Sequence, residues 1–188
     1  AGAQILAGAL GGEYPEQTLL EMAIGYLNVG LGGDALTLLE VDLARAGEDA
    51  PQGTAGSDVL RTTTLDAGNR GLLHRGWLAL LRGDPASLDS VEDPDFQFPF
   101  RRETLSMLEW AAQNSDAWQW DYLVALNLWA VDRGVEAGSR LRAIGNEPNF
   151  GPFYVARGHL LDQVLGVDPT EDFRRAVATD PESWPLQI

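Results

Sequence analysis

The sequence predicts an all-α fold, a solenoid of helical hairpins with one interrupted repeat, and three observations predict it. Residues 150–181, FGPFYVARGHLLDQVLGVDPTEDFRRAVATDP, read as two helices in a single phase, with Phe153, Ala156 and Leu160 on one face of the first and Phe173 and Ala176 on one face of the second. Residues 117–148 carry the same phase in Trp120, Leu123, Ala143 and Pro148, with Gly134, Glu136 and Ala137 one position off. Residues 16–46 carry it again in Tyr26, Gly30, Ala35 and Leu39. A helix-turn-helix unit returning at roughly 34 residues is the mark of stacked repeats.

The first helix opens at Tyr14-Pro15-Glu16-Gln17, where proline suits a first turn, and Leu19, Met22, Ala23, Tyr26 and Leu27 keep its three-four spacing. Gly32-Gly33 turns the chain, and Asp34 is placed to cap a second helix carrying Ala35, Leu38, Leu39, Val41 and Leu43. The run GEDAPQGTAG from Gly47 reads as a surface loop, and SDVLRTTTLDAGNRG after it has no clean period. Helical spacing returns with Leu72, Leu73, Gly76, Trp77, Leu80 and Leu81, and Gly83-Asp84-Pro85 breaks and restarts a helix, Asp84 as its cap.

The repeat phase fails next. VEDPDFQFPF holds two prolines and sets Phe96, Phe98 and Phe100 at alternate positions, so residues 93–100 are expected to form an extended aromatic strap. A helix from about Arg101 then puts Leu105, Leu108, Ala111 and Ala112 on one face and stops near Asn114, giving an irregular repeat over 71–114. After Pro181, Trp184 begins what would be another helix, and a solenoid whose last apolar face is uncapped invites self-association at that end. The whole of 1–188 is expected to be one superhelical domain, cut from a longer protein or processed, since it does not start with Met.

Composition narrows the function classes. The 188 residues are 45% hydrophobic, enough to bury a core with no cysteine to supply disulfides or thiolate ligands. All 13 basic residues are arginine, against 28 acids, for a formal net charge of -15, a field that repels nucleic-acid backbones and anionic membranes. No apolar run approaches the roughly 20 residues of a membrane span. The apolar opening AGAQILAGALGG has no basic residue before Arg45 and so lacks a signal peptide's form; the compartment is left open, the cytoplasm being favoured.

Counted back from Pro181 and Pro148, the aromatic and small positions resemble those of the tetratricopeptide repeat (TPR). The stretches FPFRRETLSMLEWA, YLVALNLW, GVEA and GNEPNFGPFYVARGHLL look like the C-terminal TPR arrays of certain large bacterial proteins that carry an N-terminal β-rich domain of unknown function. YPEQTLLEMAIGYLNVGLGGDAL resembles earlier repeats of such arrays, so the likeness covers most of the chain outside 47–70. Arg157 departs from the consensus, standing where a TPR usually has glycine. The resemblance implies an all-helical scaffold with protein or carbohydrate-related partners, and it supplies no catalytic residues.

No reactive constellation stands out. His74 and His159 are far apart and lack metal-ligand spacing, so no metal or cofactor is expected. Acid pairs such as Glu103 with Glu109 or Asp93 with Asp95 could serve glycoside hydrolysis, but among 28 acids they arise by chance. There is no GxSxG elbow and no phosphate loop. The aromatics say more. Trp120 and Phe153 fall on positions that pack the core, whereas Trp118, Tyr122 and Trp129 lie along one side of their helix, and the groove-facing positions of the last repeat are Gly151, Tyr154, Gly158, Leu161 and Asp162. A groove of Trp118, Tyr122, Trp129 and Tyr154 beside Arg157 and Asp162 could clasp an extended peptide or stack on a sugar. The doublet Arg101-Arg102 could pair a carboxylate of the partner or of the chain itself. The expectation is a noncatalytic scaffold that binds a protein, a peptide or another domain of its own polypeptide. A carbohydrate-handling accessory is the alternative, and an enzyme ranks last.

Overall fold

The computed structural model describes residues 15–40, 71–89, 91, 94 and 97–179, and among these it is all-helical, with no strand. The chain divides into two compact units, one ending at Asp84 and one beginning at Pro85.

In the first unit α1 spans Pro15–Asn28, α2 Gly32–Leu39 and α3 Leu72–Arg82. Leu19, Ala23 and Ile24 of α1 and Ala35 and Leu39 of α2 are buried where the two helices pack, whereas Tyr26, which the sequence places on the same stripe as Leu19 and Ala23, is 37% exposed. The turn between them needs a left-handed residue and finds it in Gly30, φ 79°, which lets the Leu31 N–H reach back to the Tyr26 carbonyl at 3.0 Å. Asp34 is not the cap that the sequence suggests. The helix starts two residues earlier, at Gly32, so Asp34 sits in its first turn, where its charge still suits the helix dipole. Buried His74 fastens α3 to the end of α2, its Nε2–H donating to the Leu39 carbonyl at 2.6 Å, and the exposed Arg82–Glu40 pair at 2.8 Å closes the same junction.

In the second unit a 3-10 turn at Pro85–Leu88 precedes α4 (Thr104–Asn114), α5 (Trp118–Ala130), α6 (Gly134–Ile144), α7 (Gly151–Leu165) and α8 (Thr170–Thr179). Each helix from α4 to α8 packs on the next one in the chain. Helix α4 begins three residues later than the sequence suggests, and its buried face is Thr104, Met107, Leu108 and Ala111, with Leu105 and Ala112 only half covered. Trp120 and Phe153, expected in the core, are fully buried, and the Trp120 indole N–H donates to the Leu88 carbonyl at 3.2 Å, tying the 3-10 turn to α5. The α5–α6 turn is two residues past Val131, with Asp132 at φ 62° and the Arg133 N–H returning to Leu128 O at 2.9 Å.

Of the strap, residues 97–100 are non-helical. Pro99 is buried, but Phe98 and Phe100 are 59% and 56% exposed, so these rings project outward instead of lining the core. The fully buried Asn127 of α5 holds this segment, its amide donating to the Pro99 and Arg101 carbonyls at 2.6 and 2.8 Å. Val41, Leu43, Phe96, the 47–70 stretch and Trp184 lie outside the described residues.

Candidate ligand cleft

The start of α5 sets one tryptophan where it can be both fixed and reached. Trp118 is half-buried, with its ring centroid 6.1 Å from Tyr122, 6.1 Å from Phe150 and 5.9 Å from Phe153. Tilted and edge-on contacts of this kind are favourable and hold the indole in one orientation. Its remaining surface lines an open cleft of about 440 Å³ between the α5 N-terminus and α6.

Four segments supply the rest of the wall. Asp116 comes from the loop before α5 and Asp121 from its first turn; Ser139, Arg140, Ala143 and Ile144 come from α6, and Glu147 from the turn after it. Arg140 Nη1 donates to Asp121 Oδ1 across the cleft, joining α6 to α5. The cleft is thus an aromatic wall with an apolar strip, one bound guanidinium and three carboxylates.

The residues that the sequence places on a groove do not all face solvent. Tyr122, Tyr154 and Arg157 are buried, at 4%, 3% and 8% exposure. Burial pushes the Tyr122 phenol well above the ordinary tyrosine range. The Tyr154 hydroxyl donates to the Pro148 carbonyl at 2.7 Å, and Arg157 lies over the Phe153 and Tyr154 rings while its Nε donates to Asp172 Oδ2 at 3.1 Å. Leu161, Gly151 and Gly158, read as groove positions, are buried as well. The physical reason is coverage on two sides: α5 packs against both α4 and α6, and α7 against both α6 and α8, so a face opposite the first neighbour is occupied by the second.

Trp118, Tyr122, Tyr154 and Arg157 are therefore brought together through Phe153, but of these four only Trp118 lines the open cleft. Trp129 is half-buried and eleven positions further along α5, about 16 Å away. Asp162 is exposed on α7 and does not line the cleft. The sequence reading missed Asp116, Asp121, Arg140 and Glu147, which no period relates; only the docking of α6 on α5 collects them.

Among the described residues no group of three or more His, Cys, Asp or Glu is placed to hold a metal ion, and no helix is long and apolar enough to cross a membrane. His159 is exposed with its ring 5.1 Å from Phe173. Compared with protein-family models, curated proteins and solved structures, the chain matches none of them.

Proposed function

We propose that the chain is a noncatalytic, TPR-like scaffold that binds a peptide segment, of a partner or of its own longer polypeptide, in the cleft beside Trp118. The observation that carries this reading is the cleft itself, where a tryptophan fixed by three aromatic neighbours is left open to solvent between two helices. A rigid aromatic loses little entropy on contact and so suits recognition. The repeat reading rests on two short-looped hairpins, α5/α6 and α7/α8, whose first helices open at Trp118 and Gly151, close to the roughly 34-residue spacing of such arrays.

The alternative, a carbohydrate-handling accessory, draws on the same Trp118 face and the Arg140–Asp121 pair, groups that can stack on a sugar ring and hydrogen-bond its hydroxyls. A fluorescent random-peptide library and an oligosaccharide panel, each offered to the wild type and to a folded Trp118→Ala variant, separate the two readings. Peptides held by the wild type and released by the variant support the scaffold. Sugars in their place would move the function to carbohydrate handling, and no Trp118-dependent ligand of either kind would sink both.

A further inference from the structure

We infer that the Trp118 cleft selects a cationic side chain, an arginine of an extended peptide, and this rests on the peptide-binding reading above. Charge complementarity makes the case. Asp116, Asp121 and Glu147 line the cleft, where among the described residues Arg140 is the one cation in the lining, and Arg140 is already paired with Asp121. Asp116 and Glu147 thus line the same cleft as the indole with no ion pair of their own among the described residues. Among the described residues the nearby arginines are placed elsewhere: Arg133 is held by Glu136 at 2.6 Å, Arg157 is buried on Asp172, and Arg142 does not line the cleft.

The other walls fit the same guest. A guanidinium over an indole gains the strongest of the cation–π contacts, and this indole cannot swing away because Tyr122, Phe150 and Phe153 back it. Ala143 and Ile144 give an apolar strip for the methylene stem of a long basic side chain. A sugar would use the indole and leave two carboxylate charges unanswered. The net charge of -15 also steers cations toward the surface, and the cleft gives them a place to stop.

The test uses the full 188-residue chain and a fluorescein-labelled hexapeptide containing two arginines, beside the same peptide with both arginines replaced by citrulline, which keeps the shape and loses the charge. Anisotropy titrations are run on the wild type, on Asp116→Asn/Glu147→Gln, on Trp118→Ala, and on Asp168→Asn/Glu171→Gln, which removes two charges away from the cleft. The arginine peptide should bind the wild type about tenfold more tightly than the citrulline peptide. That preference should fall to about twofold or less in the two cleft variants and persist in the distant one. The acid pair is exposed, so its double variant keeps the test open if Trp118→Ala unfolds. Equal binding of both peptides overturns the cation selectivity and leaves the scaffold standing. Equal losses in the cleft and distant variants overturn it too, as a diffuse field. If neither peptide binds, the inference falls, and the random-peptide library decides whether the scaffold reading falls with it.

Discussion

Arg157 shows how a charge can be kept inside a helical stack. Its guanidinium donates to both oxygens of Asp172, to the Gly145 carbonyl and to Asn146 Oδ1, while its Cζ lies 5.1 and 5.2 Å from the Phe153 and Tyr154 ring centres. One side chain therefore joins α7, α8 and the turn after α6. Removing one member of a buried pair strands the other, so Arg157→Ala should cost about 3–5 kcal/mol in urea unfolding. Arg157→Lys should recover little of it, because an ammonium cannot reproduce the planar fork. A loss within about 0.5 kcal/mol would mean that water replaces the guanidinium without penalty. Tyr122 makes a second prediction at this scale. Burial holds its phenol well above the ordinary tyrosine range in the folded protein, so the unfolded chain gives up its proton first as the solution turns alkaline. Stability is unaffected below about pH 10 and then falls by about 1.4 kcal/mol per pH unit. Urea midpoints at increasing alkaline pH should show that slope in the wild type, and Tyr122→Phe should flatten it; an unchanged slope in the variant would place the titration elsewhere.

At the scale of elements, α7 and α8 come together where a side chain is missing. A Cβ on Gly158 of α7 would meet Phe173 Cε1 at 3.0 Å and Asp172 Cβ at 3.2 Å on α8. Phe173 could yield a little, but Asp172 is held by Arg157 and cannot. Gly158→Ala should therefore destabilise by about 1–3 kcal/mol although alanine is the better helix former. The matched control is Gly25→Ala in α1, where nothing lies within 4 Å of the added carbon and a gain of about 0.5–1 kcal/mol is expected. If both substitutions stabilise, α7 and α8 can part more easily than their contacts suggest. Helices were legible in the sequence to this extent: the three-four spacing of Leu19 and Ala23, or of Phe153, Ala156 and Leu160, marks where a helix runs and which stripe it buries, although Tyr26, read onto the first stripe, is 37% exposed and Ile24, left off it, is buried. Orientation within α5 was not legible. Every position from Gln119 to Leu128 except Asp121 is buried, so the helix has no polar face to tell Trp118 from Tyr122, and the neighbouring helices, with Phe150 and Phe153 against both rings, decide which is left open. The cleft's charged wall was hidden for the same reason, since Asp116, Arg140 and Glu147 come from a loop, a helix and a turn whose meeting depends on α6 docking on α5.

For the molecule as a whole, charge acts on stability and on recognition with opposite signs. A net charge of -15 repels itself across the surface, and compaction brings the like charges closer. Against this stand exposed ion pairs such as Arg82–Glu40 and Arg133–Glu136, which water and salt screen to small contributions. Salt weakens both effects, but the repulsion involves many more charges than the pairs. Raising sodium chloride from about 0.01 M to about 1 M shortens the screening length from about 30 Å to about 3 Å, so the urea midpoint should rise. The same change should weaken binding of an arginine peptide in the cleft, because screening removes the steering and part of the attraction of Asp116 and Glu147. Unfolding and anisotropy measured on one salt series would read the two together. A midpoint that falls with salt would mean that the local ion pairs outweigh the net repulsion. Peptide binding that ignores salt while the midpoint rises would mean that the ring face of Trp118 holds the ligand without help from the carboxylates beside it.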